Sequence, residues 1–195
     1  MAELKLPVGE EAIRALKVGD FVELTGRMIT GRDAAHTWLM KEFREEVAPY
    51  LKDSVIYHCG PVVAKNSDGS YQFVAAGPTT SIREEPYQAD VIGRYGLRGV
   101  IGKGGMGART LAGLGEHGAV YLHAVGGAAQ VLARAIPRVE RVFMLEEFGV
   151  PEALWVIEVN RFPVMVTMDS HGGSLHDEVE ERSQAKLREL LGFAV

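Results

Sequence analysis

Short apolar runs that end in polar, glycine-bearing loops recur along the chain and alternate with helical patterns. Val55–Gly60 is one such run, and Gly99–Ile101 leads directly into the glycine-rich segment 102–107. A short apolar run bounded by turn residues is typical of a buried strand, whereas a helix needs a longer stretch with helical periodicity. With 195 residues and 47% hydrophobic content, the chain can bury one sizeable core. These features predict one mixed α/β domain.

The remaining elements follow from the same patterns. Segment 21–29 alternates like a strand, and Asp33 is a typical N-cap for a helix that reaches about Leu51. Further strands are predicted at 71–76, 119–125, 154–159 and 163–168, and further helices from Gly107 to about Glu116 and from Ser174 to Leu191. The mixed, polar residues 1–16 are expected to form a loosely attached N-terminal arm, which leaves residues 17–195 as the domain.

Charge and hydropathy exclude several classes of protein. The chain carries 21 basic and 26 acidic residues, a net charge of −5, and has no strongly basic block, so a general nucleic-acid binder is not expected. The most apolar long stretch, 119–136, is interrupted by polar and charged side chains and is not a membrane span. The first residues lack the apolar segment of a secretory signal. We therefore expect a cytoplasmic protein with no membrane or nucleic-acid partner.

A single cysteine, Cys59, limits the chemistry further. One thiol excludes an internal disulfide, a cysteine-rich zinc site and an iron–sulfur cluster held by this chain alone. The six histidines include no H-E-x-x-H pattern. Any metal chemistry would therefore need a metal carried by another chain.

The glycine-rich loop formally matches the dinucleotide fingerprint G-x-G-x-x-G through Gly102, Gly104 and Gly107. The following strand ends in residues 124–126 without the acidic residue that would hold a ribose hydroxyl, so a nucleotide-dependent oxidoreductase is disfavoured. The loop combines backbone N–H groups, a helix N-terminus and Lys103, which together could bind an anion. A tight turn with Lys103 in solvent explains the same residues equally well.

Two more strand-to-helix junctions carry a cation. Thr79 and Thr80 offer hydroxyls shortly before Arg83, whose planar guanidinium suits a carboxylate. Arg32 precedes the expected cap Asp33 at the end of the first long strand. Each junction alone is explained equally well by helix capping and a surface arginine. Because ligands of open α/β sheets bind at the carboxyl ends of strands, the three cations jointly predict a site for a small ligand with several carboxylates.

Three other polar residues could take part in catalysis or serve the structure alone. Asp169 and His171 lie in a glycine-bearing loop and could act as an acid or base, but turn and cap roles explain them equally well. His36, one turn into its helix, is more often a packing or capping histidine than a catalyst. No G-x-S-x-G nucleophile motif occurs, so no Ser-His-Asp arrangement is assigned.

Four ordered segments make the chain resemble a known family. They are Thr30–His36, Gly77–Arg83, Gly102–Met106 and Asp169–Gly172. In this order they resemble the β subunit of iron–sulfur class I fumarate hydratases and L(+)-tartrate dehydratases, which is the C-terminal domain in one-chain members. The resemblance covers about Lys17 to Leu191. One departure is Glu84-Glu85 after Arg83, where the family pattern has an apolar residue such as methionine first.

The resemblance implies a fold, partners and a reaction. The family fold is a single swivelling β/β/α-type domain with a mixed sheet and flanking helices. Family members carry a [4Fe–4S] cluster on an α subunit or domain, so this chain would be the other half, inactive alone and assembled as α2β2. The implied hydro-lyase reaction is reversible hydration of fumarate to L-malate, with dehydration of L(+)-tartrate as the alternative. A non-enzymatic dicarboxylate-binding module is the main alternative outside this family.

The resemblance also implies roles for individual residues. Arg32, Arg83 and Lys103 would hold substrate carboxylates, and Thr79 and Thr80 would add hydrogen bonds. Thr79 would in addition be the catalytic base that removes the C3 proton. Because a neutral hydroxyl is a weak base, nearby cations would have to lower the pKa of Thr79 for this role.

Overall fold

Nearly every strand of the protein belongs to a single mixed sheet. The computed structural model describes residues 2–192, and within them seven strands form this sheet and two form a separate hairpin. The strands are β1 (Ala2–Leu6), β2 (Phe21–Thr30), β3 (Val55–Tyr57), β4 (Val62–Lys65), β5 (Tyr71–Ala75), β6 (Gly99–Gly102), β7 (Val120–His123), β8 (Arg138–Phe143) and β9 (Leu154–Met168). The mixed α/β class predicted from the sequence is confirmed.

The helices follow the strands in chain order. They are α1 (Glu10–Arg14), α2 (Asp33–Lys41), α3 (Ala48–Leu51), α4 (Glu85–Tyr95), α5 (Ala108–His117), α6 (Ala129–Arg134), α7 (Leu145–Phe148) and α8 (Leu175–Leu191), with a 3₁₀ helix at Ser81–Glu84. None of the helices within residues 2–192 combines the length and the apolar character needed to cross a bilayer.

The sheet closes on itself. Its strand order is β1-β2-β3-β6-β7-β9-β8, and an additional antiparallel pairing joins β2 to β9, so β2, β3, β6, β7 and β9 form a closed ring. The pairs β2–β3, β3–β6 and β6–β7 are parallel. The carboxyl ends of β2, β3, β6 and β7 therefore lie at the same edge of the sheet, which is where the predicted site residues follow in sequence.

Two apolar clusters hold the sheet in place. The larger contains Trp155, Tyr57 and Phe162, each with no exposed surface, and the aromatic rings of Tyr71 and Phe73 from the hairpin pack edge-on against Trp155. The second cluster joins the sheet to α2, α3, α4 and α5. Burial of aromatic and branched side chains on this scale is the dominant favourable contribution to folding.

The N-terminal segment is not the loosely attached arm that was expected over residues 1–16. From residue 2 it forms β1, which pairs in parallel with β2, and α1. Leu6, Val8 and Ile13 are buried in the larger apolar cluster. The polar composition concealed this role, because only a few apolar side chains of the segment face the core. Residue 1 lies outside the described residues.

Other predicted elements are confirmed with changed boundaries. The helix expected from Asp33 to Leu51 is divided into α2 and α3, with Pro49 in the first turn of α3, where proline is tolerated. The two strands expected at 154–159 and 163–168 are one continuous strand, β9.

At α8 the Ser174 hydroxyl accepts a hydrogen bond from the backbone N–H of Asp177, as the capping pattern predicts. The described residues of α8 include no fully buried side chain, and its apolar side chains beyond the first turn are exposed: Val179, Leu187, Leu190 and Leu191.

Candidate functional site at the carboxyl edge of the sheet

Backbone hydrogen bonds bring three of the predicted residues together. The N–H of Thr79 donates to the carbonyl of His58, 2.6 Å away, just beyond the end of β3. The N–H of Lys103 donates to the carbonyl of Thr79 at 3.2 Å, and Thr80 and Lys103 form an isolated parallel bridge. The segment around Thr79 thus runs alongside the end of β6 as a short extension of the sheet.

The loop that carries Thr79 is attached to the end of β3 by two contacts. The hydroxyl of Tyr57, at the end of β3, donates to the carbonyl of Ala76 at 2.5 Å. Cys59 and Pro78 form an antiparallel bridge. Because the loop is tied to the end of β3 at both points, the threonine hydroxyls are presented from a rigid backbone.

Arg32 and Arg83 lie at the same edge, and each is paired with a carboxylate of this chain. Arg32 lies two residues after the end of β2, and its Nη1 is 3.2 Å from Glu152 Oε1. A side chain at Gly60 would place its Cβ 2.6 Å from Nη1 of Arg32, so glycine leaves room for the guanidinium. Arg83 forms an ion pair with Asp33, the first residue of α2, and its side chain is 51% exposed.

Lys103 differs from the two arginines in its pairing. Across residues 2–192, no carboxylate lies within ion-pair distance of its ammonium group, and the residue is half-buried. The structure therefore places Arg32, Arg83 and Lys103 at one edge, with Thr79 half-buried and Thr80 exposed beside them. This arrangement is an open patch of three cations, of which only Lys103 has no carboxylate partner within residues 2–192.

A buried polar network lies beneath this patch and was not predicted from the sequence. Its centre is the Ser81 hydroxyl, which lies 2.8 Å from Nδ1 of His58 and accepts a hydrogen bond from the Tyr121 hydroxyl at 2.9 Å. The side-chain amide of Gln88 lies 2.8 Å from Nε2 of His58 and 2.9 Å from Nε2 of His36. All five side chains are buried. The network therefore joins α2, α4, the 3₁₀ helix and the strand ends.

The protonation of the two histidines follows from their neighbours. Burial lowers the pKa of His36 and, together with the effect of His36 itself, lowers the pKa of His58 well below its usual value, so both rings are neutral at pH 7. Nδ1 of His36 donates to the carbonyl of Arg32 at 2.9 Å, which leaves Nε2 of this ring as an acceptor. The structure places Oε1 of Gln88 toward both rings and leaves its NH₂ group without a partner, so the amide has to be turned by 180° for its NH₂ group to donate to Nε2 of His36. His36 is thus a buried anchor for the backbone of Arg32 rather than an exposed acid or base.

The N-terminus of α5 is already occupied, which corrects one expectation for the glycine-rich loop. The Glu85 carboxylate accepts hydrogen bonds from the backbone N–H groups of Gly107, Arg109 and Thr110, at 2.8 to 3.1 Å, and from the Thr110 hydroxyl at 2.6 Å. These are the helix-terminal donors that the sequence pattern offered to an external anion. The first turn of α5 is therefore not available to an external anion, whereas Lys103 has no carboxylate partner within residues 2–192.

Asp169 and His171 have structural contacts that account for them. The Asp169 carboxylate accepts from the backbone N–H groups of Val18, His171 and Gly173, at 2.9 to 3.0 Å. Burial acts to raise the pKa of Asp169, but these donors outweigh it and lower the pKa. His171 Nε2 lies 2.8 Å from the carbonyl of Arg14. The turn role left open for these residues is the one that their contacts support.

Comparison with known proteins then decides the family. The family model described as "Fumarase C-terminus" matches residues 2–179. The chain belongs to this family. It is 55% identical over 185 residues to "Putative fumarate hydratase class I" of Geobacillus stearothermophilus, a match covering 94% of this chain and 35% of that protein. It is 43% identical over 184 residues to "Putative L(+)-tartrate dehydratase subunit beta" of Methanocaldococcus jannaschii, covering 93% of this chain and 94% of that one.

A third relative also matches over most of its own length. The chain is 37% identical over 173 residues to "L(+)-tartrate dehydratase subunit beta" of Escherichia coli (strain K12), covering 88% of this chain and 85% of that one. The chain thus spans about a third of the Geobacillus protein and nearly all of each protein named as a β subunit. The resemblance based on the four sequence segments is confirmed.

The family resemblance implies an iron–sulfur cluster, and the residues of this chain do not fit one. Cys59 is the only cysteine, and burial raises the pKa of its thiol to about 12, so it is a poor thiolate ligand. In the part of the chain from residue 2 to residue 192, no group of three or more His, Cys, Asp or Glu side chains could hold a metal ion. The described residues of this chain therefore provide no site for an iron–sulfur cluster of their own.

Proposed function

We propose that this chain is the β subunit of a heteromeric iron–sulfur hydro-lyase that adds water reversibly to fumarate to give L-malate. The observation that carries the proposal is the collection of Arg32, Arg83 and Lys103 at one sheet edge beside the hydroxyls of Thr79 and Thr80. Charge-assisted hydrogen bonds from guanidinium and ammonium groups are the strong contacts for carboxylates, and a diacid needs several of them. L(+)-tartrate is the alternative substrate, because two relatives carry that name.

The proposed partner is an α subunit that carries a [4Fe–4S] cluster, in an α2β2 assembly in the cytoplasm. Two observations support a partner. The chain spans 35% of the relative named as a class I fumarate hydratase. The candidate site is an open edge at which Thr80 and Arg83 are exposed, so a second surface is needed to exclude water from a bound diacid. When bound, the cluster would supply a Lewis-acidic iron for the substrate hydroxyl and carboxylate.

The residues of this chain would bind and orient the diacid. Lys103, which has no carboxylate partner among the described residues, is available to the first substrate carboxylate. Arg32 and Arg83 must be shared with Glu152 and Asp33, so the diacid competes with carboxylates of the protein for these two guanidinium groups.

Two hydroxyls complete the proposed site. Thr80 would donate a hydrogen bond to the bound substrate. Thr79 would accept the C3 proton when L-malate is dehydrated, and return it when fumarate is hydrated. This role of Thr79 requires a neighbouring cation to favour the ionised hydroxyl. Lys103 is the cation proposed for it, because its backbone N–H is hydrogen-bonded to the Thr79 carbonyl and the two residues are therefore adjacent.

Reconstitution with the partner tests the function. The chain would be purified alone and, anaerobically, together with its cluster-bearing partner, and each sample would be assayed for fumarate hydration and L(+)-tartrate dehydration. We expect fumarate turnover only in the pair. Turnover of tartrate alone by a stable pair would establish the alternative substrate. Failure to form a pair, combined with tight dicarboxylate binding by the isolated chain, would refute the subunit role in favour of a binding module.

A matched pair of arginine variants tests the site itself. Arg83 and Arg109 have side chains that are 51% and 52% exposed, and each is ion-paired to an aspartate, Asp33 and Asp90 respectively. Arg83→Ala is expected to lower kcat/KM of the assembled enzyme by about tenfold to a hundredfold, since a charge-assisted contact contributes about 1.5–3 kcal/mol. Arg109→Ala removes the same kind of surface ion pair away from the site and should leave kcat/KM unchanged.

A further inference from the structure

The carboxylate of Glu152 connects the guanidinium of Arg32 to the first turn of α2. Its Oε1 lies 3.2 Å from Nη1 of Arg32, and its Oε2 accepts a hydrogen bond from the backbone N–H of Ala34 at 3.1 Å. The side chains of Arg32 and Glu152 are 18% and 23% exposed, so water screens this ion pair less than it screens the pair of Arg83 and Asp33.

The turn that carries Glu152 is fixed to the end of β2. The hydroxyl of Thr30 donates to the carbonyl of Ala153 at 3.4 Å and accepts from the backbone N–H of Trp155 at 3.0 Å. The indole N–H of Trp155 donates to the carbonyl of Val150 at 3.0 Å. Thr30 and Trp155 have no exposed surface. The backbone on both sides of Glu152 is therefore held by buried residues, which gives its carboxylate a defined position.

The guanidinium of Arg32 has few other groups to orient it. The backbone carbonyl of Arg32 accepts from the N–H and from Nδ1 of His36, each at 2.9 Å, but these bonds fix only the main chain. Nε of Arg32 is buried and has no acceptor among the described residues. Over the same range of the chain, Glu152 is the only carboxylate within ion-pair distance of this side chain. Glu152 is therefore the group that fixes the direction of the guanidinium.

One guanidinium can hold two carboxylates at once, because its five N–H donors lie along different edges of the plane. Nη1 of Arg32 is directed to Glu152, and Nε is enclosed by the protein. Nη2 is thus the donor left for a ligand. A long side chain that is already held in one orientation loses less conformational entropy when a ligand binds to it.

We propose that Glu152 is a positioning residue: it holds Nη1 of Arg32 and the backbone N–H of Ala34 at the same time, and thereby presents Nη2 of Arg32 to a substrate carboxylate. Glu152 stays in place when the diacid binds, so the two carboxylates share the guanidinium. The consequence for substrate rests on the proposed function, whereas the orientation of Arg32 can be tested without substrate.

The first test measures rotation of the Arg32 guanidinium about its Nε–Cζ bond in the full, isolated chain. NMR on a sample labelled with ¹⁵N-arginine gives this rate from exchange between the Nη1 and Nη2 signals, which are assigned by their loss in Arg32→Lys. We expect the rate to rise at least fivefold in Glu152→Ala. Glu152→Gln keeps the shape and an acceptor for Ala34 but not the charge, so it should raise the rate at least twofold.

A second ion pair provides the matched control for this measurement. The Glu140 carboxylate lies 2.8 Å from Nε of Arg27, and its side chain is 18% exposed. Glu140→Ala should leave the rotation rate of Arg32 unchanged. A rate in Glu152→Gln equal to that of the wild type overturns the proposal, and this variant decides the matter if Glu152→Ala does not fold.

The second test asks whether Glu152 acts through Arg32, using kcat/KM of the reconstituted pair. Glu152→Ala should lower kcat/KM at least tenfold in the wild-type background and less than twofold in the Arg32→Ala background. Glu140→Ala should have no effect in either background. A loss of equal size in both backgrounds would indicate a general structural role, and a rise of kcat/KM would show that Glu152 only competes with the substrate. Either result overturns the positioning role.

The two tests separate this inference from the hydro-lyase assignment, because the rotation measurement uses neither partner nor substrate. An inactive reconstituted pair together with faster Arg32 rotation in the Glu152 variants would refute the proposed function alone. An active pair whose Arg32 rotation does not respond to Glu152 would refute only the positioning role.

Discussion

Replacing Gly102 with alanine is expected to destabilise the protein by about 2–6 kcal/mol. The new Cβ would lie 1.8 Å from the Ser81 hydroxyl oxygen and 3.1 Å from that of Tyr121, so the serine side chain must move away. Ser81 is the common partner of His58 and Tyr121, and both are buried. Nδ1 of His58 and the Tyr121 hydroxyl each lose their hydrogen bond to Ser81, and a buried polar atom left without its partner costs about 1–3 kcal/mol, which gives the stated range for two.

A double-mutant cycle distinguishes this cause from a general loss of packing. Ser81→Ala removes the hydroxyl and should cost nearly as much as Gly102→Ala, because the same two partners are left unpaired. In the Ser81→Ala background, the alanine at position 102 meets its nearest atoms at 3.1 and 3.2 Å, so it should add only about 1 kcal/mol. The two single effects are therefore strongly non-additive, by about 2 kcal/mol or more.

Urea unfolding followed by circular dichroism and by tryptophan fluorescence measures both quantities. Gly126→Ala is the matched control, because its Cβ would meet only the Lys103 side chain at an ordinary 3.6 Å. This control should lie within about 1 kcal/mol of the wild type. Additive effects of Gly102→Ala and Ser81→Ala, or a stability of Gly102→Ala equal to that of the control, would refute the role assigned to the close approach of Ser81.

Three further predictions concern the site and its support. Thr79→Val should lower kcat of the assembled enzyme far more than it raises KM, and an effect confined to KM would show the hydroxyl to be a binding group only. The pKa of Glu84 is raised by burial from 4.5 to about 8 in the folded protein. Between these two pH values the folded state binds a proton that the unfolded state has lost, so the free energy of unfolding falls as pH rises. From pH 5 to pH 7 the wild type should lose about 2.5 kcal/mol relative to Glu84→Gln, measured by urea unfolding at each pH, and a difference that does not change with pH contradicts the protonated state. Glu85→Ala should cost about 1–2 kcal/mol in the same assay, since three backbone donors of α5 lose their acceptor, and an unchanged stability would mean that water replaces the carboxylate without cost.

The sequence predicted the elements whose signals are local. The helices α5 and α8 begin and end close to the expected residues, because capping residues and helical periodicity are properties of a short segment. The presence of Arg32 and Lys103 at one edge was also predictable, since both follow strands that turned out to be parallel neighbours of β3. Their alignment needed only the general rule that parallel strands end at the same edge.

The features that depend on distant partners were not predictable from the same patterns. β1 is recognisable only through its pairing with β2, and Glu85 becomes the cap of α5 only when α4 and α5 pack together. His36 and His58 are separated by other elements in sequence, so neither suggests a shared amide partner. Glu84 was noticeable as a departure from the family pattern, but its burial depends on residues distant in sequence such as His58, whose Nδ1 lies 3.9 Å from Glu84 Oε2.

The pairing of β2 with β9 has a consequence for the order of events during synthesis. Residues 21–29 pair with residues 156–165, so the ring cannot close until residue 165 has left the ribosome. Until then β2 and β7 each have an edge whose N–H and C=O groups find no strand, which is a template for association with other chains. Truncated products that end before Leu154 should therefore aggregate, whereas a chain that includes β9 covers both exposed edges in a single late step.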